Sequence, residues 1–264
     1  MASQSAIPPG PSAFGDLSGR HAVVTGASTG IGRAIALEFA GAGADLVIHS
    51  RQVRPDVLAV CEDCRRMRRQ AEHLAQDFSA ACDWDEFVSR AWQLLGGIDV
   101  WVNNAGADLL TTPAARHEFP DKLQTLLDVD VRSTLLLSKA VGRRMREAGG
   151  GVIINIGWDQ AERGMGGDSG ELFAAAKSAI SGFTRSLAVS LAPFVRVNCI
   201  APGWIRTAWG EHASDAWQQR VLRETPLARW GAPEDIAWLA RFLASDQAAY
   251  ITGQVINANG GAVR

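Results

Sequence analysis

The chain has 264 residues, 47% of them hydrophobic, with 27 glycines and a formal net charge of −2. That length and composition suit one globular α/β domain with ample material for a core. The near-neutral balance offers nucleic acid no attraction, and no stretch approaches the roughly 18 uncharged apolar residues of a membrane span. A soluble, cytoplasmic protein acting on a small molecule is the expectation.

The opening MASQSAIPPGPSAFGD is rich in Pro, Ser and Ala, without a basic start or a continuous apolar run. Residues 1–19 are therefore expected as a flexible tail rather than a signal peptide, with residues 20–264 as a single domain. From His21 onward β-rich runs alternate with helical patterns: HAVVTG, ADLVIHS, AEHLAQD, IDVWVNNAG, GVIINIG, VRVNCIAPG and YITGQVINANGG. That rhythm predicts an α/β fold with a doubly wound parallel sheet.

After the first strand, TGASTGIG (Thr25 to Gly32) opens the helical run RAIALEFAGAG. Gly26, Gly30 and Gly32 permit a tight turn and close approach of backbone to a pyrophosphate at the positive end of a helix. The strand–turn–helix setting makes this turn a dinucleotide site. About 20 residues further on, an NAD-binding protein would place a carboxylate on the ribose 2′-hydroxyl, yet VIHSRQVR holds none and offers Arg51 instead. A 2′-phosphate would be drawn to Arg51, so NADP(H) is expected ahead of NAD(H).

VCEDCRRMRRQ contributes a CxxC pair, Cys61 and Cys64, and four arginines at 65, 66, 68 and 69. A lone CxxC with only His73 and Cys82 nearby is no zinc signature, so no metal is expected, and the arginines are expected on a solvated helix face. Residues 204–225 are irregular and rich in Trp, long enough for a lid over a site.

Taken in order, TGxxxGIG at 25–32, Asp77 after a strand, NNAG at 103–106, DVRS, INI at 154–156, a helical lysine, PGWIRT at 202–207 and the closing ITGQVINANGG resemble the short-chain dehydrogenase/reductase family over nearly everything from residue 20. The resemblance implies a seven-stranded Rossmann-like sheet and a dimer or tetramer. It implies a cofactor bound along Thr25, Gly26, Ser28, Gly30, Ile31 and Gly32. Asp77 would lie near adenine, Asn104 and Gly106 near the adenosine ribose, and Pro202, Gly203, Ile205 and Thr207 near the nicotinamide.

The family's chemistry is a relay of tyrosine, serine, lysine and asparagine. The matching positions here hold Phe173, Trp158, Lys177 and Asp130, so Lys177 alone is retained. The single tyrosine, Tyr250, is expected in the closing strand segment. Carbonyl reduction makes an alkoxide that needs an acid and an oxyanion donor, each worth roughly 10² to 10⁴ in rate; a phenyl ring supplies neither.

Lys177 is then mainly a ribose ligand with a catalytic role open to it, alongside Asp130. Around the lost groups stand Asp159, Glu162, Asp168 and Glu171, and the aromatic residues Trp158, Phe173, Trp204 and Trp209 fall on positions that border substrate in the family. Acids among aromatic faces suit a cation. Asp159, next to the missing serine, is the first choice for a replacement acid, then Glu162 and Glu171.

The resulting reading is an NADP(H)-binding oxidoreductase that reduces an iminium, or a conjugated system as the dienoyl-CoA reductases do. A catalytically silent binding or scaffold subunit of the same fold is the alternative.

Overall fold

Short runs of Val, Ile and Leu form strands because their branched side chains pack well on a pleated surface, and here both faces of that surface are covered. A computed structural model describes residues 13–109 and 113–264, without the side chains of Pro113 and Trp209. The strands are β1 His21–Val24, β2 Asp45–Ser50, β3 Ala71–Ala75, β4 Val100–Asn103, β5 Gly151–Ile156, β6 Val195–Pro202 and β7 Val255–Ala258. All pair in parallel in the order β3-β2-β1-β4-β5-β6-β7.

The helices are α1 Gly30–Gly41, α2 Pro55–Arg66, α3 Trp84–Leu95, α4 Phe119–Leu126, α5 Ser133–Glu147, α6 Gln160–Arg163, α7 Asp168–Leu191, α8 Ala208–Glu211, α9 Asp215–Glu224 and α10 Pro233–Ala244. Alternation along the strands sends Val24, Leu46, Ile48, Val102 and Ile154 into one core layer with α1, α2 and α10. It sends Val23, Val47, Trp101, Ile153 and Val197 into the other, with α3, α5 and α7.

Buried polar groups are paired between the sheet and the second layer. Asn103 donates to Ser138 on α5 and to the Asn155 side chain, each at 2.8 Å, and Asn155 donates to Thr184 on α7 at 2.8 Å. A satisfied network of this kind fixes helix register as well as adding stability. It sets where α7 presents its cleft-facing residues.

The packed body begins ahead of residue 20, which corrects the expected boundary. Leu17 is fully buried and its N–H bonds the Ala42 carbonyl, Phe14 stacks on Phe242, and Arg241 donates to the Gly15 carbonyl at 2.7 Å. Two isolated apolar residues carry no periodicity, so this docking was not readable in the sequence; residues 1–12 of the expected tail lie outside the described residues. Tyr250 is likewise not in a strand: it stands fully exposed ahead of β7.

Cys61 and Cys64 are buried on the inner face of α2, and burial pushes the Cys64 thiol up to about 12. Arg65, Arg66, Arg68 and Arg69 lie toward solvent. Among the described residues no group of three or more potential ligands could hold a metal, and no helix is long and apolar enough to cross a membrane. Leu17→Ala is expected to lower stability by about 2–4 kcal/mol in chemical denaturation, the usual cost of emptying a closed apolar site.

Candidate functional site

The strand order reverses between β1 and β4, and loops leaving neighbouring strands in opposite directions open a crevice at their carboxyl ends. A cleft of about 1080 Å³ occupies that place. Its lining comes from the carboxyl ends of six strands: the turn after β1, His49 to Arg51, Gln76 to Ser79, Asn104 to Asp108, Ile156 to Trp158 and Pro202 to Thr207.

The turn after β1 is held from beneath. Thr25 Oγ1 accepts from the Asn104 and Ala105 N–H groups at 3.0 Å, and Asn104 Nδ2 donates to the Thr25 and Gly26 carbonyls. A Cβ on Gly26, at φ +62°, would fall 2.7 Å from Ala105 Cα, and one on Gly32 would meet the Gly26 carbonyl at 2.3 Å. Thr25, Gly30 and Gly32 thus shape the turn from behind, while Gly26, Ser28 and Ile31 border the cleft.

The first turn of α1 opens toward the cleft, and its N-cap, Thr29, makes no side-chain cap. Uncapped N–H groups at the positive end of a helix are the donor set a pyrophosphate requires. The residues therefore fit a dinucleotide.

His49 braces this turn. Its Nε2 lies 2.9 Å from the Gln76 carbonyl, which accepts, so Nε2 carries the proton and Nδ1 accepts from the Gly26 N–H at 3.1 Å. The ring stacks on Phe78 at 4.2 Å, and burial lowers its pKa to about 4. Beyond it Arg51 and Arg54 are exposed at the rim, and among the described residues neither enters a salt bridge. Asp77 also borders this end, with its carboxylate accepting from Ser79. Asn104, Gly106, Pro202, Gly203, Ile205 and Thr207 line the same cleft.

At the other end α7 presents Ser169, Phe173 and Lys177 to the cleft, four residues apart on one helix face. Lys177 Nζ lies 2.9 Å from Asp130 Oδ2 and donates to the Ile156 carbonyl at 3.2 Å. Asp130 is buried within a turn of π-helix, Leu127–Arg132, and its Oδ1 accepts from the Ala107 N–H at 2.8 Å. Lys177 and Asp130 thus form an ion pair. Trp158 meets Phe173 edge-on with centroids 6.2 Å apart.

The four expected acids do not gather here. Glu162, Asp168 and Glu171 are exposed, because helical spacing turns Glu171 away from the Ser169–Phe173–Lys177 face. Asp159 is 1% exposed but turned away from the cleft: its N–H bonds the Pro202 carbonyl, and its carboxylate accepts from Asn259 at 3.1 Å. Burial pushes its pKa up. Asp159 thus braces the Pro202–Gly203 segment instead of facing the cleft.

Residues 204–225 form α8 and α9 with connecting turns, and Trp204 and Trp217 from this stretch line the cleft. The Trp209 side chain lies outside the described residues. Sequence reasoning missed His49, Arg54, Met165, Ser169 and Trp217 as lining residues; a histidine ending a strand and a second arginine three residues after Arg51 were the available signals.

A family model described as enoyl-(acyl carrier protein) reductase matches residues 26–263, and the chain belongs to the short-chain dehydrogenase/reductase family. It is 37% identical to a 3-oxoacyl-(acyl-carrier-protein) reductase from Synechocystis sp., over 94% of this chain and 98% of that one. It is also similar to a 7α-hydroxysteroid dehydrogenase complexed with NADH and 7-oxo glycochenodeoxycholic acid. There the TM-score is 0.83 and the identity 32%, covering 95% of this chain and 96% of that one.

A Beutenbergia cavernae chain assigned as an NAD(P)-dependent gluconate 5-dehydrogenase, with NADP bound at low occupancy, superimposes with TM-score 0.84. That match has 34% identity and covers 95% and 99% of the two chains. Nicotinamide cofactors are the family's common ligand.

The neutral His49 brace has a pH signature. Between about 4 and 6.5 the unfolded chain binds a proton at this position that the folded chain refuses, so stability falls as pH drops through that window and levels off above it. The raised Asp159 carboxyl acts with the opposite sign, losing stability as pH rises above 3.8. Urea denaturation at stepped pH is expected to show a flatter slope between pH 4 and 6.5 for His49→Asn than for the native chain.

Proposed function

We propose that the protein is an NADP(H)-binding oxidoreductase, a cytoplasmic homodimer or homotetramer, that transfers hydride to a conjugated acceptor without a phenol. The observation that carries this is one cleft whose two ends differ in chemistry. One end has a helix N-terminus without a side-chain cap and two arginines that enter no salt bridge among the described residues, and the other the Lys177–Asp130 pair beside a phenyl ring. Arg51 and Arg54 are assigned to the 2′-phosphate, and Asp77 to the adenine side.

The β1 turn and Lys177 would hold a nicotinamide cofactor, which would supply a hydride when bound. Lys177, oriented by Asp130 and the Ile156 carbonyl, is positioned to hold the ribose. In a conjugated acceptor, hydride adds to one carbon, the electron pair shifts through the double bond, and the far atom takes a proton. We assign that proton to the Lys177 ammonium, which becomes the amine and regains a proton from water.

Ketone reduction would build charge on an oxygen bonded to the very carbon that receives hydride, at the position faced by Phe173, which has no proton to offer, and by Trp158, whose indole N–H is far too weak an acid to give one up. An iminium acceptor would need no proton, but that reading drew on four carboxylates that do not border the cleft, and we prefer the conjugated acceptor. The replacement of tyrosine and serine also favours a second reading, a silent cofactor-binding subunit.

Calorimetric titration is expected to give NADPH a roughly tenfold to hundredfold tighter affinity than NADH, the range of one or two charge-assisted hydrogen bonds. Arg51→Ala and Arg54→Ala should each narrow that ratio; equal affinities in the native protein would refute the assignment.

Single-turnover oxidation of NADPH tests the reaction. Simple ketones are expected to give negligible rates, and flat α,β-unsaturated carbonyl compounds measurable ones that Lys177→Met abolishes. Rapid turnover of simple ketones would overturn the mechanism, and no turnover of any acceptor by cofactor-loaded protein would favour the silent subunit.

A further inference from the structure

Beyond the Lys177–Asp130 pair the cleft is walled by Trp158, Met165, Phe173, Trp204 and Trp217. Trp204 and Trp217 stand 5.3 Å apart, tilted by 60°, and Trp158, Met165 and Trp217 pack in one cluster with Trp204. The arrangement is held from outside. Arg220 lies 4.6 Å from the centre of the Trp217 ring and 6.0 Å from that of Trp204, and its guanidinium pairs with Glu224 at 2.7 Å. Two turns of α9 thus run from the Glu224 carboxylate through a cation to the wall of the cleft.

We propose that this aromatic box binds a flat, uncharged system of fused rings as the substrate, with Trp217 as its specificity-determining wall and Arg220 as the positioning residue. The inference rests on the oxidoreductase reading and names its substrate class. Aromatic edges and faces reward a planar partner beyond the area it buries, and a puckered ring cannot follow them.

A cation finds its complement already taken. Arg220 already lies over the Trp217 and Trp204 rings and weakens their pull on a second cation, Asp130 is paired with Lys177, Asp108 is exposed and already engaged, and the acids at 159, 162, 168 and 171 do not border the cleft. An anion would meet Lys177 with its charge already balanced by Asp130. Neutrality and flatness are what remain.

Calorimetry of the full chain, with and without NADPH, tests this using three probes near pH 7: 2-naphthol, its saturated counterpart 2-decalol, and 2-naphthylmethylammonium. The native protein is expected to bind 2-naphthol about tenfold more tightly than either of the others. Trp217→Leu should remove most of that preference while NADPH affinity stays within about twofold. Arg220→Met should weaken 2-naphthol binding and Arg220→Lys, which keeps a cation over the ring, should restore much of it.

Equal binding of 2-naphthol and 2-decalol, tighter binding of the ammonium probe, or an unchanged preference in Trp217→Leu would each overturn the proposal. Failure of NADPH to bind would count against the oxidoreductase reading instead, because the 2-naphthol preference is read independently in the cofactor-free titration.

Discussion

Everything at the cleft hangs on the clamp between the first turn and the end of β4. Thr25 Oγ1 accepts two backbone N–H groups from that strand's exit and donates to the Val102 carbonyl, while Asn104 returns two bonds to the turn. These bonds join the two strands at which the sheet reverses direction. With Gly26 and Gly32 sterically obligatory behind them, α1 can leave the sheet only with its N-terminus toward the crevice. His49 adds a neutral brace from β2, so the uncapped N–H groups of α1 are aimed at the crevice by backbone and packing alone.

The reaction end is organised by a different constraint, the burial of a lysine that needs a counter-charge. Desolvating an ammonium without a partner is costly, and Asp130 supplies the partner from a π-helical turn that brings its carboxylate to 2.9 Å. Phe173 adds apolar surface one turn before Lys177, where it packs with Leu109, Leu126 and Leu172. The result is a charge pair set in an apolar wall.

Much of this was legible in the chain itself. The seven strands, the glycine-rich turn, the lining positions from Asn104 to Thr207 and the place of Lys177 on a helix all follow from local pattern: periodicity, turn chemistry and motif order act over a few residues. Tertiary structure decided which side chains share space. Asp159 looked like an acid beside the site, yet its backbone bond to Pro202 and its carboxylate's bond to Asn259, 100 residues on, turn it away from the cleft.

Glu171 lies two residues from Phe173, and helix geometry alone sends it to solvent. Trp217 and Arg220 read as part of an irregular Trp-rich stretch until α9 set one ring against another and a guanidinium over both. Adjacency in sequence constrains direction only through the helix or strand that carries it, and partners far apart in the chain are chosen by packing. The amino-acid pattern therefore determined the fold and the glycine-rich end of the cleft, and only the folded core determined the charge and shape of the pocket beside it.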